Sequence, residues 1–529
     1  MRDLHFPGRS PVHCLNGMCA TSHPLAAEAA VHVLRQGGNA VDAAVCASAV
    51  LCVVEPMSTG IGGDCFALVA KEGADLVIGL NGSGRAPKAA TLDWYREQGM
   101  EEIGLSSVHS VTVPGAIDAW ARLLADHGTM ELGRVLAPAI RFAEEGFALS
   151  PRIARDWALL ERRVARDGDA ARHLLPGGRA PHVGEVHKSP ALAATLRAVA
   201  ERGPAGFYEG PIAQDMVTKL NKVGGLHTLE DFAATRADYV TPIGTSYRGH
   251  DILEIPPNGQ GITALIALNI LARFDLFGLD PHGPERFHLE AEANRLAFEV
   301  RDTYVADPDF ASVPVDALLS DARADALAAR IDRGRALDDV AAAAGPVYRD
   351  TVYLTVVDRD RMAVSFINSL YFGFGSGIAA PTSGVVFQNR GAGFVLEDGH
   401  PNRIEGGKRP LHTIIPGMMM KDGKAVMPFG VMGGAYQPVG HCHVISNVLD
   451  FGMDIQEALD SPRAFHVDGR LEVEKSVGEP VRAGLGDYGH DVAEAFLPWG
   501  GGQAIMIDRE NGGLIGGSDP RKDGAAVGY

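Results

Sequence analysis

Thr351 follows Asp350 where a soft stretch containing alanine, glycine and proline gives way to a run of β-branched residues. While its nitrogen is held in a peptide bond, this threonine has only ordinary hydroxyl chemistry. If the Asp350–Thr351 bond were cut, one residue would carry a hydroxyl and a free α-amine together. Such an amine has a pKa of about 7.7–8, so it can act as a general base at neutral pH. The hydroxyl then becomes a nucleophile without a histidine. A threonine heading a strand is also what β-propensity alone would place there, and spacing by itself favours that plainer reading. Other nucleophile and phosphate signatures are missing: there is no Gly-x-Ser-x-Gly, His-Glu-x-x-His or Gly-x4-Gly-Lys-Ser/Thr. Gly373-Phe374-Gly375-Ser376-Gly377 follows no βαβ pattern and reads as a loop, not a dinucleotide site. His441-Cys442-His443 offers metal-type donors but no third grouped ligand, which favours core or helix-end histidines.

The elements that must position Thr351 follow from periodicity. Residues 351–357 and 362–367 are β-branched runs around Asp358-Arg359-Asp360-Arg361, a hairpin signature. Upstream, residues 24–54 read as two helices, stopped at Gly37-Gly38 and restarted by Asn39 as a cap. The glycine-rich turn Ser58-Thr59-Gly60-Ile61-Gly62-Gly63-Asp64 leads into a strand over 65–69, and another is expected over 74–80. Helical patterns dominate 116–200 and 261–344, the last part (322–344) reading as an exposed helix and connector. Strand and turn patterns continue from 350 to the C-terminus, interrupted by a helical stretch over 441–459. Helices and strands on both sides of the junction suggest layered helices over packed sheets.

Glycine supplies 64 of the 529 residues, well above the usual ~7%, which implies many tight turns and close backbone approaches. Lysine and arginine total 48 against 66 acidic residues, a net charge of −18. That balance, with no basic run, argues against a nucleic-acid groove or an anionic membrane surface. The N-terminal residues lack an apolar signal-peptide core, and the longest apolar run (40–54) contains Asp42 and is too short to span a bilayer. Six cysteines without CxxC pairs read as buried thiols, and a cytoplasmic location is expected.

Several segments, in order, resemble the gamma-glutamyltranspeptidase family of N-terminal-nucleophile hydrolases. They are Gly37-Gly38-Asn39-Ala40-Val41-Asp42-Ala43-Ala44, Val113-Pro114-Gly115, Asp350-Thr351-Val352-Tyr353 and Lys408-Arg409-Pro410-Leu411. Met432-Gly433-Gly434, Ser461-Pro462-Arg463 and Gly517-Ser518-Asp519-Pro520-Arg521 complete the series. The resemblance implies an αββα four-layer sandwich made as one precursor that cuts itself between Asp350 and Thr351. The products would be a large subunit, 1–350, and a small one, 351–529, and the resemblance leaves room for a homo-oligomer of the pair. It also implies roles. Thr351 is the nucleophile and its freed amine the base; Ser369 stands where the family has a second threonine whose hydroxyl contacts that amine. Gly433 and Gly434 match the glycine pair whose N–H groups form the oxyanion hole.

The substrate contacts depart from the family. Ser83 occupies the place of the arginine that binds an α-carboxylate, with Arg85 two residues on. Tyr371 replaces an asparagine, Arg390 and Gly393 replace the Gln and Asp that hold the glutamyl head group, and His412-Thr413 replace paired serines. Together these changes remove most polar ligands of an amino-acid zwitterion, and losing paired donors and acceptors rejects that group by orders of magnitude. Arg85 and Arg390 become guanidinium candidates for a simple carboxylate, with surface ion pairing as the other reading. Segments 81–87 and 365–371 look most like the oxamate amidohydrolase type and related acylases. The expected activity is hydrolysis of a small carboxylate-bearing amide through an acyl-enzyme, with no metal or organic cofactor. The alternatives are a γ-glutamyl hydrolase or transpeptidase acting on glutathione-like substrates, and an uncleaved binding scaffold.

Overall fold

A computed structural model describes residues 8–74, 76–338 and 351–529. Asp350, one half of the expected cut, lies outside the described residues. Two seven-stranded antiparallel sheets form the middle of the molecule. One runs, edge to edge, Ala525–Gly528, Met18–Thr21, Val352–Val357, Ala363–Ser369, Asp64–Ala70, Ile78–Gly82 and Asp238–Val240. The other runs Val12–Cys14, Leu514–Ser518, Gly501–Ile507, Lys424–Met432, Gly417–Lys421, His250–Glu254 and Ile243–Tyr247. In both, strands from before residue 339 flank or alternate with strands from after residue 351.

Alternation along strand Val352–Val357 shows why the layers stack. Val352, Leu354 and Val356 belong to the core shared with helices Pro24–Arg35 and Ala40–Val54. Tyr353 and Val357 point the other way, into the core shared with Met427, Phe429 and helix Gly261–Leu271 of the second sheet. Both faces of this sheet are therefore covered, and a strand buried on both sides reads as a continuous apolar run rather than an alternating one. The hairpin sets the register: Val352 pairs with Asn368 and Val357 with Ala363. Helix Ala40–Val54 is buried along its whole length, because helix Leu132–Glu145 covers the side turned away from the sheet. Its start is fixed by a capping box in which Asn39 and Asp42 satisfy each other's backbone N–H groups. Helices Gly261–Leu271 and Gln437–Leu449 pack on the second sheet, so the four layers are helix, sheet, sheet, helix.

Three local expectations move. The second strand is Ile78–Gly82 rather than 74–80, because Asn81 pairs with Phe66 and carries the strand further into the site. The expected exposed helix over 322–344 is only Asp321–Ala328, with Ala324, Leu327 and Ala328 buried; residues 339–344 lie outside the described part. The helical stretch near 441 begins at Gln437, with Pro438 in its first turn, and a second helix follows at Ile455–Asp460. All six cysteines are free. Among the described residues, no helix is long and apolar enough to cross a membrane.

Candidate active site

The strand pairing brings the two ends of the hairpin together, so Thr351 and Ser369 lie side by side and are both fully buried. Thr351 Oγ1 is 3.2 Å from Ser369 Oγ. Ser369 Oγ also accepts the N–H of Tyr371 at 2.9 Å and Arg390 Nη2 at 3.4 Å. A serine hydroxyl has one proton and two lone pairs. With both lone pairs engaged, its proton is directed at Thr351 Oγ1. Gly63 holds this strand end from below: a Cβ there would lie 2.2 Å from the carbonyl oxygen of Ser369.

Gly433 and Gly434 follow strand Lys424–Met432 with φ of 131° and 60°. Two successive positive φ values are available only to glycine without strain, and they turn the chain sharply before helix Gln437–Leu449. The carbonyl of Gly434 accepts Gln260 Nε2 at 2.9 Å. Ala435, the next residue, lines a cavity of about 550 Å³ together with Tyr371 and Thr413. Most of the remaining wall is apolar, with Ile103, Leu105, Val305 and Phe394 among it, while Arg301 and Asp302 form one polar patch.

Arg390 lies directly behind that wall. It is fully buried, donates Nη1 to Thr413 Oγ1 at 2.6 Å, and stacks 4.1 Å over the ring of Tyr371. Tyr371 adopts φ of 82°, a left-handed conformation that is a real outlier for a bulky side chain. Strain of this kind persists only where the surroundings over-determine it, and it gathers at functional sites. Burial raises the phenol pKa of Tyr371, and the nearby Arg390 and Arg301 work against that rise.

The structure therefore brings Thr351, Ser369, Tyr371, Arg390 and Thr413 together, with Gly393 in the cavity wall and Gly433-Gly434 beside it. Arg85 and His412 go elsewhere. Arg85 is 36% exposed and faces Asp238, Asp307 and Asp309 at 3.3–3.8 Å, the surface ion-pairing reading. His412 is buried against Asp64, Nε2 to Oδ2 at 3.0 Å, while its Nδ1 accepts the N–H of Ile414 at 3.3 Å. Because Nδ1 accepts, Nε2 carries the proton. Burial and the nearby Arg390 lower this histidine's pKa to about 3. Asp64 also takes N–H groups of Gly84, Gly115 and the Gln388 side chain at 2.8–3.1 Å. Ser83, in the place of the family's arginine, is tied to Asn258 and Arg409.

Sequence reasoning missed Gln260, Arg301, Asp302 and Asp64. The first sits in the turn Pro256-Pro257-Asn258-Gly259-Gln260-Gly261, whose punctuation was readable as a loop at a helix start. Nothing local marks Arg301 within its long helix, Pro284–Tyr304.

The metal-type residues resolve into hydrogen bonds. His441 pairs with Glu254 at 2.6 Å, and His443 lies 2.7 Å from Arg286 Nη1 and 3.1 Å from Glu290. Among the described residues, one group has the spacing of metal ligands: His288, Glu292 and His490. His288 Nε2 donates to the carbonyl of Asp332 at 2.7 Å, so its Nδ1 accepts from His490 Nε2 at 2.8 Å. Glu292 accepts Arg295 and the N–H of Leu337. The trio docks residues 332–337 onto the body of the protein.

Comparison with known proteins follows the same lines. The family model described as gamma-glutamyltranspeptidase matches residues 26–529. The chain is 39% identical over 523 residues to the glutathione hydrolase-like YwrD proenzyme of Bacillus subtilis, covering 97% of this chain and 98% of that one. It is 33% identical over 528 residues to the oxamate amidohydrolase proenzyme of Klebsiella pneumoniae, with 97% and 98% covered. The crystal structure of a cephalosporin acylase from Bacillus halodurans superposes with a TM-score of 0.93 at 41% identity, covering 100% of this chain and 99% of that one. An antiparallel double sheet under helices, a threonine and serine paired at the mouth of one hairpin, and near full-length matches give one conclusion: this chain is an enzyme of the gamma-glutamyltranspeptidase family of N-terminal-nucleophile hydrolases.

Proposed function

We propose that the protein is an amidohydrolase, self-cleaved between residues 350 and 351, acting on an amide whose acyl part carries a carboxylate. The observation behind this reading is the place of Arg390, within 3.4 Å of Ser369 Oγ, itself 3.2 Å from the nucleophile. A guanidinium so near the reacting hydroxyl suits a short carboxylate-bearing acyl group. The cavity of about 550 Å³ is larger than such a group fills, and its apolar wall suits a bulkier amine half. Arg85 has no part in this reading.

Cleavage frees the α-amine of Thr351. The amine then takes the proton of Oγ1 as the oxygen attacks the amide carbonyl. Negative charge on the tetrahedral oxygen is met by the N–H groups of Gly433 and Gly434. The proton passes to the departing nitrogen, leaving an acyl-threonine. A water molecule, deprotonated by the same amine, attacks the ester, and the carboxylic acid leaves.

One observation favours a second reading: Arg301 and Asp302 both line the cavity, a charge pattern complementary to an amino-acid zwitterion, and one relative is named glutathione hydrolase-like. The two are already bonded to each other at 2.6 Å, so a zwitterion would have to displace that pair. Glutaryl-p-nitroanilide and γ-glutamyl-p-nitroanilide differ only by the α-ammonium and decide the matter. A glutaryl kcat/KM at least ~10-fold higher is expected; preference for the γ-glutamyl compound would overturn the carboxylate reading. Amino-terminal sequencing of the small fragment should read Thr-Val-Tyr.

A further inference from the structure

Glycine pairs make good oxyanion sites and poor self-supporting loops. With no Cβ, Gly433 and Gly434 have a broad choice of dihedral angles, yet donors aimed at a developing charge help only if they are fixed beforehand. The conformation must be imposed from outside the loop. Gln260 is placed to do this. It is fully buried at the start of helix Gly261–Leu271, and its side chain does not cap that helix. Its Nε2 donates to the carbonyl of Gly434 at 2.9 Å and to the carbonyl of Thr413 at 2.8 Å. Its Oε1 accepts Arg301 Nη1 at 3.0 Å, and its backbone N–H donates to the carbonyl of His412 at 2.9 Å. The amide cannot be turned over, because its oxygen would then face two carbonyls and its NH2 group a guanidinium.

We propose that Gln260 is the positioning residue of the site: one amide sets the oxyanion loop in register with the Arg390–Thr413 pocket and links both to Arg301 in the cavity wall. The proposal rests on the reading of Gly433-Gly434 as the oxyanion hole. Gln260 acts through Gly434 and does not touch the reacting atoms. A substrate group that engages Arg301 pulls on the same amide, so occupation of the amine half of the cavity is coupled to the fit of the oxyanion hole. Specificity on that side should therefore show in kcat as well as in KM.

The test uses the self-cleaved enzyme with Gln260→Met, which keeps the volume and removes the hydrogen bonds, and Gln260→Glu, which keeps the acceptor toward Arg301 but turns oxygen toward two carbonyls. Both should lower kcat by about 10- to 100-fold, with KM for a small amide within about threefold. Affinity for a boronic acid that adds to Thr351 should fall in parallel with kcat/KM, while affinity for the carboxylic acid product holds. A purely structural role would instead lower the melting temperature and the active fraction, leaving kcat per titrated site unchanged; that result overturns the proposal. If the methionine variant does not fold or cut itself, the glutamate variant carries the same measurement. If neither does, Arg301→Lys, which loosens the amide from the other side, must show the parallel loss in kcat and boronate affinity, and its absence is equally decisive. Gly433→Ala separates the underlying reading. Full kcat in folded, cleaved Gly433→Ala sinks the oxyanion assignment itself, whereas loss there with normal kcat in the Gln260 variants sinks only the role of Gln260.

Discussion

Two buried polar clusters share the same chain segments. Around Thr351, the groups are Ser369, Arg390, Thr413 and Tyr371, with a strained backbone at Tyr371 and a large cavity alongside. Around Asp64, the groups are Gln388, His412 and the N–H groups of Gly84 and Gly115, with the carboxylate receiving four donors. Gln388 and Arg390 are two residues apart, and His412 and Thr413 are adjacent, yet each pair is divided between the clusters. Side chains next to each other on an extended chain leave it in opposite directions, which divides His412 from Thr413; Gln388 and Arg390 are divided because the chain turns into a short 3-10 helix at Arg390–Gly393. The Asp64 carboxylate takes its four donors in the interior, whereas the Thr351 cluster reaches the cavity wall through Tyr371 and Thr413.

The sharpest way to break this contrast is Thr351→Ala. It should abolish both self-cleavage and turnover, leaving a single full-length band on a denaturing gel after prolonged incubation; any residual processing would move the nucleophile elsewhere. Next, Arg390→Met should lower kcat/KM for a carboxylate-bearing amide by about 10- to 100-fold, the worth of a charged hydrogen bond. An amide with a neutral acyl group should be affected far less. Asp64→Asn should act the other way round. Stability should fall by about 2–3 kcal/mol in a denaturant titration, with KM of the surviving folded enzyme little altered. If Asp64→Asn chiefly raised KM, the division between the two clusters would collapse.

A pH titration sharpens the same division. Burial holds the pKa values of His412 and His490 at about 3, and those of His23, His187, His227, His443 and His466 at about 4. In the unfolded chain they return to about 6.5. The unfolded state then binds more protons below that value, so the contribution of these groups is complete above about pH 6.5 and is lost as pH falls toward 3–4. Glu55, raised to about 7 by burial, opposes this with one proton. Melting temperature should therefore drop steeply from pH 6.5 to 4. The chemical step should instead follow the Thr351 amine, with no inflection from His412. The smallest effect belongs to Arg85→Ala: a half-exposed ion-pair cluster is worth about 0–1 kcal/mol, and kcat/KM should stay within about twofold.

The layered fold was legible because it is written in local terms. Asn39 as a cap, the 358–361 turn and the β-branched runs each specify an element by themselves. The pairing of Thr351 with Ser369 was reachable too, once a hairpin was drawn, since the register then places the strand ends together. What could not be read is which residue of a neighbouring pair faces the cavity. Arg85 and Arg390 are chemically the same on paper; one lies at the surface beside three carboxylates, and the other is sealed behind Tyr371. Gln260 was hidden for a related reason. Its partners are two backbone carbonyls and an arginine 41 residues on, and a glutamine in a turn carries no mark of them.

The interleaving of strands gives the cut a consequence beyond the site. Val352–Val357 lies between Met18–Thr21 and Ala363–Ser369, and Met18–Thr21 is itself flanked by Ala525–Gly528. Two chains produced by a break at residue 350 would be threaded through common sheets and could not part without dismantling both. Folding would have been directed by a continuous polypeptide that no longer exists. The precursor, as a single chain, would refold by a unimolecular route. Its product would have to solve a bimolecular problem with sheets that neither partner can complete alone. The mature enzyme would thus be an object without a return path, whose lifetime is set by how slowly it opens rather than by an equilibrium it can revisit.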